Sequence, residues 1–86
     1  MRRSKLEMYV DILRVLARLG PLRFSLIMNK ANVNGGILTE YLDFLIEKGL
    51  VEERTIKKGS AFFAVTQNGI NLLKVFREFT EAITAS

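Results

Sequence analysis

The side chains in this chain that could do chemistry are almost all cations and small polar groups. There is no histidine and no cysteine among the 86 residues, which removes the imidazole base, the thiolate nucleophile and the ordinary zinc ligands. Glu52 and Glu53 are adjacent in a stretch that reads as a strand, so they point to opposite faces and cannot act as a pair. No phosphate-loop pattern occurs. An enzyme is therefore not expected, and no metal, cofactor or small-molecule ligand is evident. What remains is suited to gripping phosphates: Arg2 and Arg3 ahead of Ser4, Arg23, Ser25 and Lys30 around one short segment, and Lys57, Lys58 and Ser60 around Gly59. The run Asn34-Gly35-Gly36, followed by Ile37 and Thr39, adds backbone N–H groups that an anion can approach closely.

Each of these has a plain structural reading beside the functional one. Lys57 and Lys58 either touch DNA or discourage strand pairing at a hairpin edge. Arg2 and Arg3 either follow a phosphate backbone or hang in solvent. The two glycines either open a helix start to a phosphate or merely delay the helix. Arg14 and Arg18 read as a solvated stripe, with Arg14 paired to Asp11 three residues away. Phe62, Phe63, Phe76 and Phe79 could stack on bases, but they lie on amphipathic elements and read as core or interface.

The elements that position these residues are organised around Leu38 to Val51. Leu38, Tyr41, Leu42, Leu45 and Ile46 recur on one helical face, and Lys48-Gly49 is a stop signal. Asn34 can cap this helix, expected over 35–48. A shorter helix is expected over 24–31, with the Asn32-Val33-Asn34 turn between them; helix, short turn, helix in this span has helix-turn-helix spacing. Ahead of it, Ser4 and Glu7 form a capping box for a helix over 4–19 that ends at Gly20-Pro21. Leu22-Arg23 reads as a short extended link. After Gly49 a hairpin is expected over 50–65, then a helix over 67–84 capped by Thr66. The fold class is thus mainly α with a small β-hairpin, a winged helix-turn-helix in the order α-α-α-β-β-α with a long C-terminal helix.

The first helix carries more apolar surface than one small core needs, and the last would be about 27 Å long. This predicts a homodimer in which Met8, Ile12, Val15 and Leu19 meet Leu72, Phe76, Phe79 and Ile83 across subunits. Net charge is +4 with pI near 9.8, a balance that favours a polyanion. Hydrophobic residues make up 49 %, yet no run approaches the roughly 20 residues of a membrane span. The N-terminus lacks a signal-peptide layout, and the lack of cysteine suits a reducing cytosol.

SKLEMYVDIL at Ser4 to Leu13, KAN at Lys30 to Asn32, EYLDFLIEKGLVE at Glu40 to Glu52 and FFAVTQNG at Phe62 to Gly69 cover most of the chain. With them it resembles the archaeal winged-helix proteins that include the ten-kilodalton, chromatin-associated DNA-binding proteins of crenarchaea. The resemblance implies a winged helix, antiparallel dimerisation through the C-terminal helix, double-stranded DNA binding and a cytoplasmic, nucleoid-associated place. This chain departs from the family in two ways. Gly35, Gly36, Ile37 and Thr39 stand where relatives carry aromatic and basic side chains, and the C-terminal helix is shorter. The third helix's Glu40, Asp43, Glu47 and Lys48 sum to a net −2, which phosphates repel. Two functions are therefore set side by side. One is a dimeric DNA-binding protein, regulatory or architectural, that works mainly through phosphates and the wing. The other is a protein-interaction or assembly module that does not read DNA.

Overall fold

Ser4 starts the structure as its sequence neighbours demand. Its hydroxyl accepts from the Glu7 N–H at 3.1 Å, and the Glu7 carboxylate accepts from the Ser4 N–H at 2.9 Å. These bonds to the Ser4 backbone and hydroxyl hold the Glu7 carboxyl below its ordinary pKa, with Arg3 adding a smaller push the same way against slight desolvation. The computed structural model describes residues 3–57 and 59–85. In order these are α1 (Lys5–Leu19), β1 (Leu22–Arg23), α2 (Phe24–Ala31), α3 (Gly35–Glu47), β2 (Val51–Lys57), β3 (Ser60–Val65) and α4 (Gln67–Ala85). Among the described residues no helix is long and apolar enough to cross a membrane.

The winged-helix expectation holds, with one addition. Leu22-Arg23 is a strand: it pairs antiparallel with β3 and completes a sheet of order β1-β3-β2. Asn32 takes a left-handed conformation at φ 55° and ends α2, and Val33 drops into the core beside it. Asn34 then caps α3, its side-chain oxygen accepting from the Ile37 N–H at 2.9 Å.

The core joins Ile12, Leu13 and Leu16 of α1 to Ile27 of α2, Leu38, Leu42 and Leu45 of α3, and Val51 and Phe63 of the sheet. Ile12 is 0 % and Val15 5 % exposed. This corrects the expectation that both belong to a subunit interface: the chain's own α2 and sheet supply the second apolar surface that α1 needs. Met8 also packs against the core, whereas Leu19 stays exposed. Asp11 corrects a second expectation, since it pairs with Arg3 rather than Arg14.

α4 is joined to the rest by a tight node. The Thr66 hydroxyl donates to the Gly49 carbonyl at 2.6 Å and accepts from the Gly69 N–H at 3.1 Å. The Thr66 N–H donates to the Leu50 carbonyl at 3.0 Å. Gly69 is buried, and a Cβ there would stand 2.4 Å from the Leu50 oxygen and 2.6 Å from a Val65 methyl. Helix and backbone can be this close only at glycine. Beyond Phe76, the described positions of α4 are exposed. Gly69→Ala is expected to destabilise the chain by about 2–3 kcal/mol, lowering Tm by roughly 10 °C or more in a circular-dichroism melt. An unchanged Tm would mean that α4 does not sit on Leu50.

Candidate nucleic-acid interface

The residues expected to grip phosphates separate into three places. The first is the start of α2. Arg23 is its N-cap position but makes no side-chain capping bond, and no acidic residue lies in the first turn. The leading N–H groups of α2 therefore have no side-chain acceptor, and the exposed Ser25 lies in the same first turn. The pairing of β1 with β3 and of β3 with β2 puts Arg23, Phe62 and Arg54 in one row across the sheet. Residues directly opposite share a face, and the Arg23 guanidinium lies 5.4 Å from the Phe62 ring centroid. Arg54 holds Glu52 at 2.8 Å on the same face. Arg54 was missed in the sequence. Counting back from the turn would have reached it only by allowing for the register irregularity between Thr55 and Lys57.

The second place is the start of α3. Here the Asn34 side chain is committed to the Ile37 N–H. The Thr39 hydroxyl donates back to the Gly35 carbonyl at 3.0 Å, so outwardly it offers a methyl group and acceptor lone pairs. Packing requires neither glycine: a Cβ at Gly35 would make ordinary contact with the Met28 sulfur at 3.4 Å, and one at Gly36 would touch only the Asn34 side chain at 3.7 Å. Ile37 is half-buried against the core. The outer face of α3 thus shows Gly36, Thr39, Glu40, Asp43 and Glu47, with no cation on it ahead of Lys48.

The third place lies between α1 and α2. Lys30 shares a groove with Asp11, Arg14 and Arg18, at the far end of α2 from Ser25, about 7.5 Å away along the helix. Arg3 is here too, and it does not hang in solvent. Its guanidinium donates to the Asp11 carboxylate at 2.7 Å, to the Ala31 carbonyl at 2.9 Å and to the Asn32 carbonyl. A cation on the last carbonyls of α2 is favourable, so Arg3 clamps the chain's start to the helix-turn-helix corner. At the wing tip, Arg2 and Lys58 lie outside the described residues. Lys57 is described as the last backbone position of β2, paired with Ser60.

A family description, winged helix-turn-helix, matches residues 2–84, and the chain belongs to that family. Solved structures share the fold. RosR of H. salinarum is 28 % identical, with 87 % of this chain and 73 % of that one covered at a TM-score of 0.79. Sso10a-2, described as a DNA-binding protein from Sulfolobus solfataricus, is 23 % identical over 96 % of this chain and 84 % of that one, at 0.81. RV1404 from Mycobacterium tuberculosis is 16 % identical at 0.83, and this chain spans 54 % of its length. No match emerges from a comparison with curated protein sequences.

The clamp makes a specific prediction. Arg3→Ala should lower stability by about 1 kcal/mol, because the pair is partly exposed, and leave affinity for a DNA duplex within about twofold. A thermal melt and a DNA titration of the same sample check this. A large loss of affinity with an unchanged Tm would show that Arg3 leaves its clamp for phosphate.

Proposed function

We propose that this chain is a dimeric protein that binds double-stranded DNA, as a small transcriptional regulator or an architectural protein, and grips the duplex mainly through phosphates. The observation that carries this is the uncapped start of α2 beside the Arg23–Phe62–Arg54 row. Free helix N–H groups, a hydroxyl and two guanidiniums are the donor set that phosphate oxygens need. Lys57 and Lys58 join it on sequence grounds, as cations at the hairpin turn. The family membership supports the reading, as do the fold shared with a DNA-binding protein of Sulfolobus and the resemblance of EYLDFLIEKGLVE to the crenarchaeal chromatin proteins. Base readout is weak in this proposal. Gly36, Ile37 and Thr39 present no paired donor and acceptor for guanine or adenine, so preference comes from duplex shape.

Dimerisation belongs to the same proposal. Leu72, Val75 and Phe79 are 42 %, 60 % and 63 % exposed, and Ile83 continues their face. A monomer seldom leaves such a stripe in water. The facing surface is an apolar groove of about 500 Å³ lined by Leu6, Tyr9, Phe44 and Leu72, with Lys5 and Lys48 at its sides. Glu78 borders the stripe, about 100° around the helix from Phe79, and complements those lysines across subunits.

The acidic outer face of α3 favours the second reading, a winged helix that assembles with protein. A salt titration separates the two. DNA affinity should fall with a slope of about −0.9 in log K per phosphate contact. The pair Arg23→Ala and Arg54→Ala should weaken all duplexes alike and flatten the slope by about two per subunit. No binding at about 50 mM salt would favour the assembly module.

For the dimer, Phe79→Glu should yield monomer in sedimentation equilibrium at about 100 μM, since it puts an unpaired charge into the interface. A wild-type monomer at that concentration would end the dimer proposal.

A further inference from the structure

A second cationic groove borders the one that holds Lys30 and shares Arg14 and Arg18 with it. Between α1 and α4 runs a groove of about 430 Å³, within the roughly 300–1,000 Å³ typical of small-molecule pockets. Arg14 and Arg18 form one wall, Lys74 and Arg77 the other, and Ile70 and Leu73 the floor. The ion pairs among the described residues are Arg3–Asp11 and Arg54–Glu52, so none of these four cations is in an ion pair, and the nearest carboxylates, Glu7 and Asp11, line the neighbouring surface beside Arg14. Glu78 and Glu81 follow a turn later on α4 but reach neither Lys74 nor Arg77 in an ion pair. Arg14 is steadied by the Phe76 ring, 5.9 Å from its guanidinium.

Its position separates this groove from α3 and from the apolar stripe of α4. On α1, Arg14 and Arg18 stand across the helix axis from Ile12 and Leu16, which are buried in the core shared with Leu38 and Leu42 of α3. The groove therefore faces away from α3. On α4, Arg77 lies roughly 160° around the helix from Val75 and Phe79, and Lys74 roughly 140° from Phe79, so a dimer formed through the apolar stripe leaves it open.

We propose that this groove binds a small organic carboxylate with an apolar body. Four like charges around one space repel each other, and an anion relieves that repulsion. Arginine forks take a carboxylate through two parallel hydrogen bonds. The floor selects the rest of the ligand, because Ile70 and Leu73 gain only from covering by apolar surface; a phosphodiester backbone has none to offer. A bound ligand touches both α1 and α4 and ties the exposed helix to the core.

The test uses the full chain, ¹⁵N-labelled, titrated with 2-naphthoate and with neutral 2-naphthamide. Naphthoate should move the amides of Ala17, Ile70, Leu73 and Lys74, and bind about tenfold or more tighter than the amide, the worth of one charge-assisted contact. The double change Arg18→Ala, Arg77→Ala should remove that preference. Ala17→Leu, at an exposed position between the two arginines of α1, should fill the groove and block binding, with an unchanged circular-dichroism spectrum. Equal affinity for acid and amide overturns the proposal, as do shifts confined to Leu6, Tyr9 and Phe44 or undiminished binding to the Ala17→Leu chain. A short duplex that moves the groove amides while naphthoate does not would also overturn it, giving the groove to nucleic acid.

Discussion

The missing side chain at position 69 is the constraint on which the far half of the molecule depends. Because Gly69 brings no Cβ, the first turn of α4 rests directly on the Leu50 carbonyl. Thr66 closes the contact from the other side, donating to Gly49 and accepting from Gly69 with a single hydroxyl. Gly49 itself sits at φ 73°, the left-handed turn that ends α3 and starts the wing. One node thus joins the end of the third helix, both strands of the wing and the last helix. Its geometry fixes the direction of α4, and with it where the apolar stripe and the basic flank of that helix point.

The charge distribution follows from this arrangement. The cations do not gather on α3, whose outer face is acidic, but at the start of α2 and across the sheet, and again between α1 and α4. A duplex held by the first set is held at its backbone, where contacts orient the protein but carry no sequence information. Under the proposed function, the third helix is a scaffold that positions the start of α2 and the wing.

Much of the fold was legible because its punctuation is local. The Ser4–Glu7 box, the Asn34 cap and the Thr66–Gly69 start each act over three residues, and Lys48-Gly49 stops a helix within its own last turn. Each can be read from a short window, since the groups that bond are already neighbours in the chain. The apolar periodicity of α3 was equally plain, because its core face repeats with the helical turn. Of the candidate site, Ser25 and Arg23 were legible as flanks of the second helix. Arg54 was not, because its place beside Phe62 depends on strand register across an irregular hairpin.

What the sequence determined by itself is the set of elements, their starts and stops, and which face of each is apolar. Tertiary structure decided where those faces were spent. The surplus apolar surface of α1 read as a subunit interface, yet Ile12 and Val15 are covered by α2 and the sheet; periodicity reveals a buried face but not the number of neighbours that cover it. Arg3 read as a loose tail, yet its carbonyl partners Ala31 and Asn32 lie 28 and 29 residues away. Arg14 and Arg18 read as a solvated stripe until Lys74 and Arg77 were brought beside them from the other end of the chain. In each case the deciding contact joins residues far apart in sequence, and only the packing of one element on another makes them neighbours.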